Sequence, residues 1–347
     1  MSDLSIGSPK GVLLHAWSAT VGEYAIAGRW LRGADLLVVG DAAGGVYGFD
    51  GASGELLWFQ PEAHAGGLLA MAAHPNGATL ATTGQDGRVL LWDSASGHVR
   101  RAIELGRGWV EHVAWSSNGE MLAAALSRRV HVFGADAEEV WRTGEHRSTV
   151  SAIAWSGSQE LATTSYGQVA FFDAASGDAL ETFEWRGSLV SMVLSPDKDI
   201  VACGAQDNSV HFWRRSTGED SMMSGYPGKP SALAFDSTGA LLATGGGEYV
   251  TVWSFSGGGP EGTQPGVLEL HVRPITTLAF AHRGRRLASG GRDGVIVVWE
   301  LQEDGGGSPV GLAIAQDVVS GLAWSSGDRA LAAFDATGDV TVWRVRD

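Results

Sequence analysis

The chain has 347 residues, of which 44% are hydrophobic and 18% are charged, a balance typical of globular rather than disordered proteins. Its net charge of −15 argues against general nucleic-acid binding, and no apolar run approaches the ~18 residues of a membrane-spanning helix. The single cysteine, Cys203, excludes an intramolecular disulfide and, with an N-terminus unlike a secretion signal, favours a cytoplasmic location.

A unit of ~40 residues repeats along the chain. In the second copy, a short strand at 55–60 precedes His64, an apolar strand at 69–73 and a tight hairpin from Leu80 to Trp92. The other copies keep this order, and each hairpin ends on an aromatic residue: Phe49, Trp92, Phe133, Phe172, Trp213, Trp253, Trp299 and Trp343. Four short antiparallel strands per unit are typical of a β-propeller blade. The repeats therefore predict eight four-stranded antiparallel blades, with seven blades as the alternative.

Both ends of the sequence fit this arrangement. Gly11 to Trp17 has the pattern of the first strand of a unit, whereas the last unit stops just after the strand that contains Trp343. We therefore predict that the N-terminal strand pairs into the C-terminal blade, at Val318 to Val345, and closes the propeller without exposed sheet edges. Residues 1–347 are predicted to form a single all-β propeller domain, in which residues 1–10 are flexible.

Two units carry the same four side chains at matching positions: His64, Thr82, Asp86 and Trp92, and His271, Ser289, Asp293 and Trp299. In this pattern the chain resembles the WD-repeat family of β-propellers, over essentially its whole length from about Gly11. The resemblance implies that each set is a hydrogen-bonded structural network, since a buried carboxylate needs donors such as an imidazole N–H. A Ser/His/Asp combination also suggests a catalytic triad, but its recurrence in separate units favours a structural role.

A third unit departs from this pattern. His146 and Thr163 begin a set in which Tyr166 stands in place of Asp and Phe172 in place of Trp. The incomplete units are expected to rely more on ordinary packing, or to use their substituted side chains for binding.

The resemblance also implies that the loops entering the second strand and the hairpin turns share one face, the usual partner-binding surface of the family. Aromatic and arginine side chains, which protein-binding hot spots favour, collect on this face. Trp185 and Tyr226 stand where the family pattern has His, and Lys229 lies nearby in the sequence. The alternative is that such a Trp covers a neighbouring blade and such an Arg is a solvated loop charge. The predicted partner-binding residues are Trp17, Gln85, Arg107, Trp109, Arg147, Trp185, Arg186, Gln206, Tyr226, Arg273 and Arg292.

The opposite face is predicted to be more acidic. Its turns contain acidic residues such as Asp173 and Asp178, whereas Arg283, Arg285 and Arg286 are the main exception. Solubility is a sufficient explanation for the acidity.

The sequence thus predicts a non-enzymatic scaffold that binds a protein or peptide partner, is monomeric by itself, and uses no cofactor, metal, nucleic acid or membrane. The first alternative is an enzyme, because Gly44 to Trp58 resembles a repeat of eight-bladed quinoproteins that carry pyrroloquinoline quinone. The other units do not keep the trailing Trp, which counts against this alternative.

A second alternative is an accessory factor in metal delivery or complex assembly that uses residues such as Met222 and Met223. Cys203 and His211 are expected to face each other across a hairpin, but two ligands do not make a zinc site.

Overall fold

Short apolar segments separated by glycine-containing turns form 30 β-strands in the computed structural model, which describes residues 11–31 and 35–346. The predicted flexibility of residues 1–10 concerns residues outside this described part. Within it, no helix has the length and apolar character needed to cross a membrane. The strands assemble into an all-β propeller, and we use the word blade for each hydrogen-bonded sheet.

The N-terminal strand is β1 (Leu13–Thr20), and the next twelve strands form three blades in chain order. The first blade contains β2 (Ala25–Leu31), β3 (Leu36–Asp41), β4 (Val46–Asp50) and β5 (Leu56–Gln60). The second contains β6 (Leu68–Ala73), β7 (Thr79–Gly84), β8 (Arg88–Asp93) and β9 (His98–Glu104). The third contains β10 (Val110–Trp115), β11 (Met121–Leu126), β12 (Arg129–Gly134) and β13 (Glu139–Arg142).

Four further blades complete the described part of the chain. The fourth contains β14 (Ala152–Ser156), β15 (Glu160–Asp173), β16 (Ala179–Leu194), β17 (Ile200–Ala205), β18 (Val210–Arg214) and β19 (Glu219–Met223). The fifth contains β20 (Ala232–Phe235), β21 (Leu241–Gly245), β22 (Tyr249–Ser254) and β23 (Gly266–Glu269). The sixth contains β24 (Ile275–Phe280), β25 (Arg286–Gly291), β26 (Val295–Leu301) and β27 (Gly307–Ile314). The seventh contains β28 (Val319–Trp324), β29 (Ala330–Asp335), β30 (Asp339–Val345) and β1.

The prediction of eight four-stranded blades is wrong, because the described strands form seven sheets, six with four strands and one with six. In the six-stranded blade, β15 pairs with β14 through Thr164 and with β16 from Tyr166 onward. β16 in turn pairs with β15 up to Ser188 and with β17 from Leu189. Two units of the repeat therefore share one blade.

The two units of the fourth blade are continuous because the strands β15 and β16 each run through a bend without interruption. In the second blade the turn between β7 and β8 is held by Asp86, whose carboxylate accepts the backbone N–H of Arg88 at 3.2 Å. Tyr166 stands at the corresponding position of β15 and supplies no such acceptor. The chain reverses there through Gly167, whose φ is +82°, and the Thr164 hydroxyl donates to Gln168 O at 3.3 Å. The bend of the long strand β16 contains Gly187, and the pairing partner of β16 changes from β15 to β17 between Ser188 and Leu189.

The N-terminal strand lies at the outer edge of the seventh blade. β1 pairs antiparallel with β30 over the whole of Leu13–Thr20. The first and seventh blades also contact each other through side chains, because the indole N–H of Trp30 donates to the carbonyl oxygen of Ala323 at 3.1 Å. Ser320 Oγ donates to the carbonyl oxygen of Ala25 at 2.5 Å in the same interface.

Three outer strands carry a tryptophan that packs on a turn of the next blade. The indole N–H groups of Trp17, Trp58 and Trp141 donate to backbone carbonyl oxygens at 2.9, 3.1 and 2.7 Å. Each ring lies against a glycine with positive φ, and a Cβ there would collide with the indole; these glycines are Gly54, Gly97 and Gly177. The expectation that no other unit keeps an equivalent of Trp58 is therefore wrong. Differences in turn length between the units hid the match.

Candidate partner-binding face

Four side chains hold the hairpin turn of the second blade. Trp92 Nε1–H donates to Thr82 Oγ1 at 2.8 Å, and the Thr82 hydroxyl donates to His64 Nε2 at 2.8 Å. His64 Nδ1–H donates to Asp86 Oδ1 at 3.1 Å, and Asp86 also accepts the backbone N–H of Ala65 at 3.1 Å. Because the ionised carboxylate of Asp86 only accepts hydrogen bonds, the proton of the His64 ring is on Nδ1.

Burial and charge act on this network together. Burial lowers the pKa of His64, against the attraction of Asp86, so the imidazole is neutral at neutral pH. Burial opposes ionisation of Asp86, but hydrogen bonds from His64 and Arg88 outweigh it and lower the pKa of Asp86. The Thr82 hydroxyl is fully buried and has no access to a substrate. The arrangement is therefore structural rather than nucleophilic.

The sixth blade repeats this arrangement with Ser in place of Thr. Trp299 Nε1–H donates to Ser289 Oγ at 2.9 Å, and the Ser289 hydroxyl donates to His271 Nε2 at 2.9 Å. His271 Nδ1–H donates to Asp293 Oδ1 at 3.1 Å. Asp293 also accepts the backbone N–H of Val272 at 2.8 Å, which ties the turn to the segment before β24.

Tyr226 takes the place of the network histidine in the fifth blade. Its hydroxyl lies 2.8 Å from Thr244 Oγ1 and accepts the indole N–H of Trp253 at 2.8 Å. The sequence predicts that Tyr226 binds a partner because it departs from the family pattern, but the structure buries this side chain inside the blade. A phenol hydroxyl both donates and accepts, so it replaces the imidazole in the network.

The incomplete set of the fourth blade uses a backbone carbonyl instead of the missing Asp. His146 Nε2 accepts the Thr163 hydroxyl at 2.9 Å, and His146 Nδ1–H donates to the carbonyl oxygen of Arg128 at 3.0 Å. Burial lowers the pKa of His146, as it does for His64. Tyr166 is not needed in this network, and its side chain is 54% exposed.

A cavity of 820 Å³ opens on the face that carries these turns, between the fifth and sixth blades. Its wall contains Val190, Ser231 and Thr276, which lie in or directly before the inner segments of three consecutive repeat units. The cavity therefore lies at the inner rim of the propeller. Three charged side chains line it: Lys229, Glu248 and Arg292.

Exposed aliphatic side chains flank the turn that contains Arg292. Val272 is 71% exposed and Ile314 is 73% exposed. Val272 is fixed beside the turn by its bond to Asp293, and the residue after Ile314 donates its backbone N–H to Gly294 O at 2.8 Å. Arg273 follows Val272 and is exposed. The structure thus combines Arg273 and Arg292 of the predicted set with two aliphatic residues that the sequence analysis missed, because isolated aliphatics in a strand pattern indicate only a core.

A second group of predicted residues lies at the bends of the fourth blade. Arg147 pairs with Glu184 at 3.1 Å, and both side chains are exposed. Tyr166 is opposite Ser188 in the sheet, and Gln206 N–H donates to Ser188 O at 2.9 Å. Arg186, two residues before Ser188, is exposed, so these polar side chains form one surface.

Trp185 is half-buried in this same region and packs inward. Its ring centroid lies 3.3 Å from that of His211, and the two rings are stacked. His211 is buried, and within the described residues neither its ring nitrogens nor Trp185 Nε1 have a hydrogen-bond partner. Burial lowers the pKa of His211, so its ring is neutral at neutral pH. The contact with His211 accounts for the position of Trp185 without a partner.

The remaining predicted residues are separated from these groups. Arg107 and Trp109 precede β10, and Trp109 is 52% exposed. Gln85 lies in the turn between β7 and β8 and donates its backbone N–H to Gly67 O at 3.0 Å. Trp17 is not on this face: it lies in β1, is only 5% exposed and donates to Gly51 O in a turn on the other side of the propeller.

Cys203 and His211 lie opposite each other in β17 and β18, as the sequence predicts. Burial raises the pKa of the Cys203 thiol far above its ordinary value, so the thiol is protonated and a poor metal ligand or nucleophile. In residues 11–31 and 35–346, no three His, Cys, Asp or Glu side chains are grouped closely enough to hold a metal ion.

The sequence matches two family models. One, described as "WD domain, G-beta repeat", matches residues 56–93, 177–214 and 262–300. The other, described as the "Anaphase-promoting complex subunit 4 WD40 domain", matches residues 113–194. Together the matched ranges cover more than half of the chain.

Similar proteins include actin-interacting protein 1 of Caenorhabditis elegans, which is 23% identical over 69% of this chain. The chain spans only 40% of the length of that relative. A guanine nucleotide-binding protein subunit beta of Oryza sativa subsp. japonica is 23% identical over 69% of this chain and 70% of its own length. Among solved structures, the computationally designed Ika8 protein superimposes with a TM-score of 0.82 at 21% identity, over 97% of this chain and 100% of its own.

Proposed function

Because this chain belongs to the WD-repeat family of β-propellers, we propose that it is a non-enzymatic scaffold that binds a peptide segment of a partner protein. The binding site in this proposal is the cavity between the fifth and sixth blades, together with the exposed side chains beside it. The observation that carries the proposal is the combination of Arg292, in the cavity wall, with the highly exposed Val272 and Ile314, which flank the turn that contains Arg292.

The chemistry of the cavity and of the exposed side chains beside it suits a peptide. Exposed aliphatic side chains lose contact with water when a partner covers them, and an arginine beside them supplies directional hydrogen bonds to carbonyl or carboxylate oxygens. The cavity wall has two positive side chains, Lys229 and Arg292, and one negative side chain, Glu248. This charge favours a peptide segment with at least one carboxylate. The names of the two relatives, an actin-interacting protein and a subunit of a larger protein, are in keeping with a role through protein partners.

The exposed group at the bends of the fourth blade extends the proposed face. The exposed polar and aromatic residues of this group are Arg147, Tyr166, Arg186 and Gln206. Trp185, in the same region, instead packs against His211. We also propose a cytoplasmic location, which is supported by the single, buried cysteine.

A double variant, Val272→Asp with Arg292→Ala, tests the proposed function. We expect it to weaken binding of a partner recovered from the native cell by about 2 kcal/mol or more, the size of a hot-spot loss. Thermal unfolding is expected to be unchanged, because both side chains are exposed. Binding is measured by titration of the purified partner.

The matched control is Val140→Asp with Arg142→Ala, which changes the same residue types on the outer strand β13. Val140 and Arg142 are also exposed, so this control makes the same changes at exposed positions elsewhere on the propeller. Equal weakening by both double variants contradicts the proposed site.

A further inference from the structure

A second cavity lies on the opposite face, where the seventh blade meets the sixth and the first. Its volume is 1160 Å³. Its wall includes residues of the turn that leads into β25, of the turn that leads into β29, and of the end of β30. These three segments supply six arginines: Arg283, Arg285, Arg286, Arg329, Arg344 and Arg346. Such a concentration of cations is unusual in a chain with a net charge of −15.

Most of these guanidinium groups have no acidic partner in the described structure. Arg286 pairs with Glu300 at 3.0 Å, and Arg285 pairs with Glu303 at 2.7 Å. Within residues 11–31 and 35–346, the other four have no carboxylate oxygen within 4.0 Å, and all four are exposed: Arg283, Arg329, Arg344 and Arg346.

The acidic residues in the cavity wall do not neutralise it. Asp328 is already engaged, because it accepts the backbone N–H groups of His282 and Arg283 at 2.9 and 3.0 Å. Glu300 is paired with Arg286, and Asp35 is the third carboxylate of the wall. Six guanidinium groups and three carboxylates leave three positive charges in the wall, one of which is offset by Glu303, the partner of Arg285 outside the wall.

We propose that this cavity binds an acidic peptide segment of a partner protein, whose carboxylates pair with the exposed arginines. Arginine suits this ligand because its planar guanidinium forms two parallel hydrogen bonds with a carboxylate. The wall also contains the partly exposed Trp30 and Val345, which offer apolar surface to side chains that lie between the carboxylates.

The spacing of the arginines favours a peptide over a compact phosphate group. A phosphate site needs several donors that converge on one point, whereas these arginines come from three separate segments. Carboxylates that lie among them repel a dense anion more strongly than a peptide whose charges are spread along its length. The site is independent of the one proposed above, because the two cavities lie on opposite faces and share no wall residue.

The experiment measures fluorescence anisotropy with a labelled peptide of alternating glutamate and leucine residues. The charge-reversed variant Arg283→Glu with Arg344→Glu should weaken binding about tenfold or more, and added salt should weaken binding to the wild type. The control Arg100→Glu with Arg142→Glu makes the same charge change on the exposed outer strands β9 and β13, away from both cavities, and should bind the peptide within about twofold of wild type. Thermal unfolding checks that each variant is folded; Arg283→Gln with Arg344→Gln replaces the first variant if it is not.

Three results overturn the proposal. Equal weakening in both double variants assigns the effect to the overall charge of the chain. If a peptide in which glutamine replaces glutamate binds as tightly as the original peptide, the carboxylates do not contribute to binding. Displacement of the peptide by inorganic tripolyphosphate at a lower concentration than by unlabelled peptide assigns the cavity to phosphate groups instead.

Discussion

Trp185 and Tyr226 both replace the histidine of the family pattern, yet the structure uses them in different ways. Tyr226 keeps a hydroxyl that bonds Thr244 and Trp253, so the network survives the substitution. Trp185 has only a donor, and its ring instead stacks on His211. Sequence comparison with the pattern identifies both departures, but only the contacts distinguish a network member from a packing residue.

The first prediction separates Trp185 from its neighbour. Trp185→Ala should lower the free energy of unfolding by about 2 kcal/mol, because it removes a stacked aromatic contact and leaves space over His211. Arg186→Ala should leave stability unchanged, because Arg186 is exposed. Urea unfolding of the two single variants measures the difference. If Trp185→Ala unfolds at the wild-type urea concentration, Trp185 does not contribute through packing, and its predicted role in partner binding gains weight.

Several blades contain a hairpin whose turn is held by a carboxylate. Asp293 accepts N–H groups from His271, Val272 and Val295, and so joins the turn to two other segments. The first and seventh blades, which lack the complete set of four residues, do this with Asp41 and Asp335. Asp41, for example, accepts the backbone N–H of Gly45 at 2.8 Å.

The second prediction compares two aspartates at blade turns. Asp293→Ala should lower the free energy of unfolding by about 1–3 kcal/mol, since it leaves buried donors without an acceptor. Asp339→Ala should cost less than about 0.5 kcal/mol, because the Asp339 side chain accepts only the exposed Thr20 hydroxyl. Thermal or urea unfolding distinguishes the two variants. Equal losses mean that the carboxylate network does not explain the stability of the hairpin.

At the scale of the whole molecule, one blade joins the two ends of the described chain. β1 supplies the outer strand next to β30, and Leu13 and Trp17 are both buried. Trp17 also packs against the first blade, because its indole N–H bonds Gly51 O. The N-terminal strand therefore contributes to two blades at once.

The third prediction removes this strand. A chain that lacks residues 1–17 should lose at least about 3 kcal/mol of stability, because the deletion removes a buried tryptophan, a buried leucine and most of the pairing with β30. A chain that lacks only residues 1–10 is the control. Differential scanning calorimetry measures both, and coincident melting of the two truncated chains contradicts a stabilising role of β1.

The sequence by itself determined the features that depend on local pattern and on side-chain chemistry. Alternating apolar residues, turn residues and a repeat of ~40 residues indicate strands and propeller units, because the side-chain period and the turn geometry are local properties. The two sets that begin with His64 and His271 were identified by their match to the pattern of the WD-repeat family, which lies within a single unit. These predictions needed no knowledge of neighbouring units.

Only the tertiary structure decided the features that depend on contacts between units. The number of blades depended on whether β15 and β16 each continue from one sheet segment into the next, and no local pattern reports this. Trp17 was predicted on the binding face because Trp at a surface and Trp against a glycine turn look alike in sequence, but packing on Gly54 places it on the other side. Both cavities are built from segments far apart in the chain, so their charge and shape arise only when the blades pack together.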